Sequence, residues 1–290
     1  MTAAVAVIRD LDALRAQVVA WRKSGETIAL VPTMGALHKG HLDLVRLAKS
    51  RCSRAVVSIF VNPAQFAPHE DFDRYPRDEA GDLIKLKSVG CDRVWSPTRN
   101  LMYPDGFATR IVPSGAAGGL ESDFRPHFFG GVATVCCKLF TQVAPDIAVF
   151  GEKDYQQLAV VRQMVRDLDL PLEIVGLETV READGLAMSS RNAYLSPQER
   201  AVAPTMYRVI TKVAEAAASG DVIAAAIAEG RMELEAAGFK IDYLDVRDAA
   251  TLVPLTGDPD GPLRVLVAAW LGKTRLIDNI GVERPMHRAL

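Results

Sequence analysis

Ile28-Ala29-Leu30-Val31-Pro32-Thr33-Met34-Gly35-Ala36-Leu37-His38-Lys39-Gly40-His41 decides the fold. Residues 28–32 are an apolar run and read as a buried strand. From His41 onward Leu44, Leu47 and Ala48 recur at helical spacing, up to Arg51. The stretch is therefore strand, glycine-containing turn and helix, with two imidazoles at the junction. Backbone N–H groups at a helix start lack internal partners, and the helix dipole favours anions there. Gly35 and Gly40 let the backbone approach a ligand closely. Such a junction suits the phosphates of a nucleotide. A His-x-Gly-His by itself also occurs where one histidine merely caps or packs, so the preceding strand and the turn glycines carry the reading.

Outward from this stretch, residues 5–23 read as a first helix, with Leu11, Leu14, Val18 and Trp21 on one side. Residues 55–61 form a second buried strand, almost wholly apolar as parallel strands are. It ends at the turn signal Asn62-Pro63. A helix over 78–89 and a short strand over 93–95 follow. Residues 101–129 are irregular and rich in proline and glycine, as functional or disordered loops are. Then come a helix over 132–143, a strand over 147–150, a helix over 155–167 and a strand over 172–176. This alternation predicts a doubly wound, Rossmann-like parallel sheet covered on both faces. Ligands of such sheets sit at the carboxyl ends of the strands, where the strand order switches.

The pattern changes near Thr179. Alanine-rich helices over 197–218 and 222–237 precede strands over 241–246, 263–270 and 274–280, with a turn at 257–262. We expect two domains, a Rossmann-like one over 1–178 and a smaller α+β one over 179–290. Residues 285–290 follow the last strand and are expected to fray. Gly272-Lys273-Thr274 imitates the end of a P-loop, but the earlier glycine it requires is Val267, and it lies between two strands. It reads as a hairpin turn.

With 290 residues, 49% apolar, and a net charge of −2, the chain suffices for one large or two modest domains. Near-balanced charge predicts no broad field for nucleic acid or membrane. Lys138 and Lys153 are cations of local interest. Cys52, Cys91, Cys136 and Cys137 form no CxxC pair, and Cys136-Cys137 lies in an apolar run. Reduced thiols in the cytoplasm are expected. Residues 1–9 are apolar but short and lack a basic flank, unlike a signal peptide. No apolar stretch is long enough to span a membrane. No carboxylate cage for a metal is apparent.

Three further motifs stand with the first. They are Phe60-Val61-Asn62-Pro63-Ala64-Gln65-Phe66, Phe150-Gly151-Glu152-Lys153-Asp154-Tyr155-Gln156-Gln157 and Ala187-Met188-Ser189-Ser190-Arg191-Asn192. In their order and spacing the motifs closely resemble the pantothenate synthetase (pantoate–β-alanine ligase) family of the HxGH nucleotidylyltransferase superfamily, from about Ile28 to Asn279. The resemblance implies two half-reactions. The carboxylate of pantoate attacks the α-phosphate of ATP, giving pantoyl adenylate and pyrophosphate. The amine of β-alanine then attacks the activated carbonyl, giving pantothenate and AMP. Such chemistry asks a protein to position reactants and stabilise developing charge.

By motif match the resemblance implies catalytic roles for His38, His41, Lys153, Ser189 and Arg191. It implies ATP contacts for Met34, Gly35, His38, His41, Gly151, Lys153, Asp154, Val180, Met188, Ser189, Ser190 and Arg191, with Asp154 accepting from ribose hydroxyls. Gln65 and Gln157 would hold pantoate, and Met34 and Phe66 would wall its gem-dimethyl group. Asn62, Tyr75 and Arg125 would lie toward β-alanine. Mg²⁺ would arrive on ATP oxygens, and the family implies a homodimer. Without the resemblance, Lys153 reads as a solvated loop lysine and Ser189-Ser190-Arg191-Asn192 as a turn. A different HxGH nucleotidyltransferase and a non-catalytic nucleotide sensor are the alternative readings. One departure stands out. The family often reads Arg-Pro-x-His-Phe-x-Gly-Val, but here Arg125-Pro126-His127-Phe128-Phe129-Gly130-Gly131-Val132 puts the histidine one place early.

Overall fold

The structure is a computed structural model that describes residues 5–67, 72–256 and 261–282. Most of the expected turn at 257–262, and the expected fraying at 285–290, lie outside the described residues. Packing divides the chain into two units. The first comprises Met1–Pro113, Arg125–Glu152 and Val160–Glu178, and the second Ser114–Phe124, Lys153–Ala159 and Thr179–Leu290. The chain thus passes between units several times, and Thr179 marks the last passage.

Among the described residues the first unit holds six strands, β1 (Ala6–Ile8), β2 (Ile28–Thr33), β3 (Arg54–Ile59), β4 (Arg93–Trp95), β5 (Ile147–Gly151) and β6 (Glu173–Leu177). They pair in parallel in the order β1-β4-β3-β2-β5-β6. The switch in order falls between β2 and β5, so the crevice expected of such sheets opens at their carboxyl ends. The helices through this region are α1 (Leu11–Lys23), α2 (Lys39–Arg51), α3 (Glu79–Ser88), the one-turn α4 (Arg99–Met102) and α5 (Glu121–Phe124), α6 (Phe128–Val143) and α7 (Tyr155–Asp167). α5 and the first turn of α7 belong to the second unit. Ala29, Val31, Ala55 and Val57 of β2 and β3 pack with Leu44, Val45 and Ala48 of α2 and Leu86 of α3. Strand alternation turns Ile28, Leu30 and Val56 to the opposite face, where α6 reaches β2. Helices on both faces make the sheet doubly wound.

Two expected helices are corrected. Residues 5–23 are not one helix. Ala6–Ile8 pairs with β4, and Asp10 then caps α1 by accepting from the Ala13 N–H at 2.9 Å. An Ala-Val-Ile triplet fits either period, and only the long-range pairing decides it. Residues 197–218 are also broken, because Pro204 has no N–H to continue the ladder. There α8 (Pro197–Val202) ends and α9 (Thr205–Ser219) begins.

In the second unit β7 (Phe239–Asp248), β8 (Leu263–Leu271) and β9 (Thr274–Val282) form an antiparallel sheet in that order. α9 and α10 (Ile223–Ala236) cover it through Val209, Ile210, Val213 and Leu234 against Leu244, Val246, Val265 and Val267. Gly230 of α10 allows this closeness, since a Cβ there would sit 2.9 Å from Val209 Cγ1 and 3.0 Å from Leu244 Cδ2. Gly272-Lys273 is a two-residue hairpin, because Leu271 pairs with Thr274.

Candidate active site

β2 delivers the chain to a turn that the rest of the first unit holds firmly. Gly35 has φ +84° and Ala36 φ +51°, so the backbone passes through the left-handed region twice in succession. Thr33 Oγ1 donates to the Ser58 carbonyl at 2.7 Å and accepts from the Gly35 N–H at 3.2 Å. The buried Asp82 carboxylate on α3 accepts from the Leu37 N–H at 2.8 Å. One turn on, Lys85 Nζ donates to the Leu37 carbonyl at 2.8 Å. Asp82 and Lys85 escaped the sequence reading. Their signal is an acidic residue on the same helical stripe as the buried Leu86, four residues on.

His38 then caps α2 and His41 stands in its first turn. Their rings lie with centroids 4.1 Å apart, and the His38 N–H donates to His41 Nδ1 at 3.3 Å. A backbone N–H can only donate, so Nδ1 is the acceptor and Nε2 carries the ring hydrogen. The helix start thus gains a side-chain donor beside its own unshared N–H groups. Met34 is half-buried on the same turn.

β3 leads into a one-turn 3₁₀ helix, Pro63–Gln65, capped by Asn62. Asn62 is 1% exposed. Its Oδ1 accepts from the Ala64 N–H at 3.2 Å and the Tyr103 hydroxyl at 2.8 Å. Its Nδ2 donates to the Gly131 carbonyl at 3.1 Å and to Gln65 Oε1 at 2.8 Å. Burial pushes the Tyr103 phenol up to about 12, which keeps it a neutral donor. α6 comes close enough for this because Gly131 has no side chain. A Cβ there would collide with the Ala64 carbonyl. Phe66 meets Phe72 and Tyr75 edge-on, at centroid distances of 5.4 and 6.0 Å. Tyr75 is itself buried. Arg125 donates to the Gln65 carbonyl at 3.0 Å, and its guanidinium lies 4.0 Å over the Phe128 ring. Phe128, standing where the family motif has histidine, is therefore the platform for Arg125. His127 Nε2 is buried with no hydrogen-bond partner among the described residues. Lys138 lies 4.8 Å from the Phe107 ring centroid, a packing position.

β5 ends at Gly151, where a Cβ would meet nothing within 4 Å. Lys153 and Asp154 follow in the second unit, with Lys153 Nζ 3.7 Å from Asp154 Oδ2. Gln156 is buried and spends its amide on the chain, accepting from the Glu121 N–H at 3.1 Å and donating to the Ala116 carbonyl at 3.1 Å. Gln157 is only half-buried.

The remaining candidates form one small hairpin of the second unit. Arg181 pairs with Ala187, and the Met188 N–H donates to the Val180 carbonyl at 2.9 Å. Ser189 caps the 3₁₀ turn Ser190–Tyr194 by accepting from the Arg191 N–H at 3.2 Å. Asn192 donates to Glu182 and to the Ala187 carbonyl, closing the loop. Among the described residues no cluster of three or more His, Cys, Asp or Glu side chains could hold a metal ion. The donors here are imidazole, ammonium, guanidinium, hydroxyl and carboxamide groups, which suit phosphate and carboxylate oxygens.

A family model described as pantoate-beta-alanine ligase matches residues 6–281. Pantothenate synthetase 2 of Bradyrhizobium diazoefficiens is 61% identical over 277 residues, spanning 95% of this chain and 98% of that one. The crystal structure of pantothenate synthetase from Thermus thermophilus superposes with a TM-score of 0.90 at 46% identity, covering 97% of this chain and 100% of that one. Pantoate-beta-alanine ligase from Francisella tularensis, complexed with beta-gamma ATP and beta-alanine, gives a TM-score of 0.81 at 32% identity, over 96% and 97% of the two chains.

Proposed function

The chain belongs to the pantoate–β-alanine ligase family, and from that premise we propose how its own residues carry the reaction. It joins pantoate to β-alanine at the expense of ATP, through a pantoyl adenylate, and releases AMP and pyrophosphate. A carboxylate is a poor acyl donor, so the work lies in holding it in line with the α-phosphate and in stabilising the charge that shifts toward pyrophosphate.

The observation that carries the assignment of residues is the His38–His41 pair at the start of α2. In this reading His41 donates through Nε2 to a phosphate oxygen, and His38 serves the same charge. Met34 and Gly35 line the ATP side, Gly151 admits the adenosine and Asp154 accepts from ribose. Lys153, Ser189, Ser190 and Arg191 of the second unit are the remaining phosphate ligands, with Val180 and Met188 beside the nucleotide. Gln65 and Gln157 hold pantoate, with Met34 and Phe66 against its methyl groups. Arg125 serves the β-alanine carboxylate, with Asn62 and Tyr75 supporting that side. Mg²⁺ would arrive with ATP and would supply charge neutralisation at its phosphates, with the residues above holding the nucleotide rather than the cation.

The protein is further read as a cytoplasmic homodimer. Its four cysteines carry free thiols, as in proteins of a reducing compartment. Among the described residues no helix is long and apolar enough to cross a membrane. Light scattering at micromolar concentration tests the dimer.

The deciding experiment follows pyrophosphate and AMP from ATP and Mg²⁺ with pantoate, with and without β-alanine, in the parent and in His41→Ala. Pantoate-dependent pyrophosphate, with steady AMP only when β-alanine is added, is expected of the parent. Loss of pyrophosphate formation with ATP affinity retained is expected of His41→Ala. A variant turning over at the parent rate overturns the assignment of His41.

A further inference from the structure

Two adjacent residues of β9, Asp278 and Asn279, are both buried, at 4% and 3% exposed. Neither fits the apolar pattern of the strand around them, Leu276 and Val282 being core. Each is committed to a different segment of the second unit.

Asn279 holds the backbone of Lys153. Its Nδ2 donates to the Lys153 carbonyl at 2.7 Å. Its Oδ1 accepts from Arg264 Nε on β8 at 2.7 Å, which fixes the amide the right way round for that donation. Arg264 is held in turn with its guanidinium 3.9 Å over the ring of Tyr155. The Tyr155 hydroxyl donates to the Ala249 carbonyl at 2.9 Å. The short 3₁₀ turn carrying Lys153 is thus gripped from the sheet at its carbonyl and at the tyrosine two residues on.

Asp278 holds the other cationic segment. Its carboxylate takes both terminal nitrogens of Arg181, at 2.7 and 3.0 Å, the fork geometry that best fixes an arginine. Arg181 also donates to the Gly185 carbonyl at 3.0 Å and to the Asn279 carbonyl at 3.2 Å, and lies 3.8 Å over the Tyr207 ring. Through its pairing with Ala187, Arg181 is the stem of the hairpin that ends in Ser189, Ser190 and Arg191. One dipeptide therefore ties the Lys153 turn and the Ser189–Arg191 loop to the same point on one strand.

We propose that Asp278 and Asn279 are positioning residues of the ligase, setting the spacing between Lys153 and the Ser189–Arg191 loop so that both act on one triphosphate. This rests on the reading in which Lys153 and Arg191 meet phosphates. Stabilisation of a transition state by preset charges depends on their placement before the reaction, and a shift of about 1 Å can cost roughly 100-fold in rate. Neither residue touches substrate in this account; each acts through a cation.

The test is Asn279→Asp, which keeps the size and the acceptor for Arg264 but has no hydrogen to give the Lys153 carbonyl. Pyrophosphate formation from ATP and pantoate is measured alone and combined with Lys153→Ala. Expected is a fall in kcat of about 30-fold with KM for ATP within roughly threefold, and a further change of less than about threefold when Lys153 is already alanine, because linked residues are not additive. An Asn279→Asp protein with unchanged kcat overturns the proposal. So does a loss in the Lys153→Ala background as large as in the parent, since Asn279 would then act by another route. If Asn279→Asp does not fold, Asn279→Ser is put through the same cycle with the same criteria. Lys153→Ala turning over at the parent rate refutes the phosphate role of Lys153 itself, a failure distinct from that of Asn279.

Discussion

The side-chain amide of Asn62 donates to the carboxamide oxygen of Gln65 at 2.8 Å, and this one bond fixes what Gln65 offers a ligand. Asn62 cannot be turned round. Its oxygen faces the Ala64 N–H and the Tyr103 hydroxyl, and its nitrogen faces the Gly131 carbonyl. Gln65 must therefore accept from Asn62 and present its NH₂ elsewhere, as a donor.

Gln65→Glu accordingly weakens pantoate binding more than Gln65→Ala does. A carboxylate puts an acceptor where a donor stood, which opposes the anionic substrate proposed for this position. The alanine variant is expected to raise the pantoate KM about 10-fold and the glutamate variant about 100-fold, in line with the cost of an unmet partner and of an opposed one. KM for ATP should stay near the parent value in both. Steady-state kinetics decide it. A glutamate variant that binds pantoate better than the alanine variant means the substrate donates to Gln65.

Gly131→Ala tests how the Asn62–Gln65 turn is held. The added methyl must push the turn away from α6, because it runs into the Ala64 carbonyl. We expect a loss of about 1–3 kcal/mol in stability, as for other overpacked positions, together with a raised pantoate KM. Urea unfolding and a pantoate saturation curve measure the two effects. Parent-like values in both would show that the turn moves at no cost.

The strand–turn–helix at Ile28 to Arg51 was legible because period and punctuation agree there. Residues 28–32 of β2 are continuously apolar, Gly35 marks the turn, and Leu44 and Ala48 keep helical spacing, although the helix begins at Lys39 and takes in Gly40. The parallel sheet followed from the same alternation repeated along the chain. What escaped depends on partners distant in sequence. Ala6–Ile8 is a strand only because β4 is there to pair with it. α6 starts at Phe128, ahead of the expected residue 132, even though Gly130 and Gly131 are poor helix formers at about 1 kcal/mol each. The close approach that Gly131 allows explains its presence. Asp82, Lys85, Tyr103 and Asn279 work by bonds spanning 41 to 126 residues, which no local pattern encodes.

Asp92 gives a pH dependence of known sign. Burial acts first and raises its carboxyl. The Lys49 ammonium, the Ala55 N–H and the Arg54 guanidinium outweigh that and hold it below the usual carboxylate range. The bonds are 2.8, 2.8 and 3.0 Å, and they pin the C-terminal turn of α2 to the start of β3. A group whose folded value lies below its unfolded one adds stability at neutral pH, and the gain is lost as pH falls through the folded value. Asp92→Asn should cost about 1–3 kcal/mol at neutral pH. Its difference from the parent should shrink below about pH 4, where the unfolded carboxyl protonates. Denaturation at several pH values measures this, and a difference that stays constant down to about pH 3 would rule out the linkage.

His41 gives the prediction closest to the chemistry. Because the His38 N–H occupies Nδ1, the ring hydrogen of His41 is on Nε2, on the far side of the ring, where the proposed function puts the phosphate. Asparagine at this position keeps an acceptor near the place of Nδ1 and has nothing at Nε2. Glutamine is one carbon longer and can bring an N–H near the place of Nε2. Loss of one preset donor to developing charge costs about 100- to 1,000-fold in kcat. His41→Asn should show that full loss in pyrophosphate formation, and His41→Gln should retain about tenfold more activity, with KM for ATP in both within roughly threefold of the parent. The opposite order, asparagine equal to or better than glutamine, would mean that the cap on α2 rather than the Nε2 donor is what the reaction needs from His41.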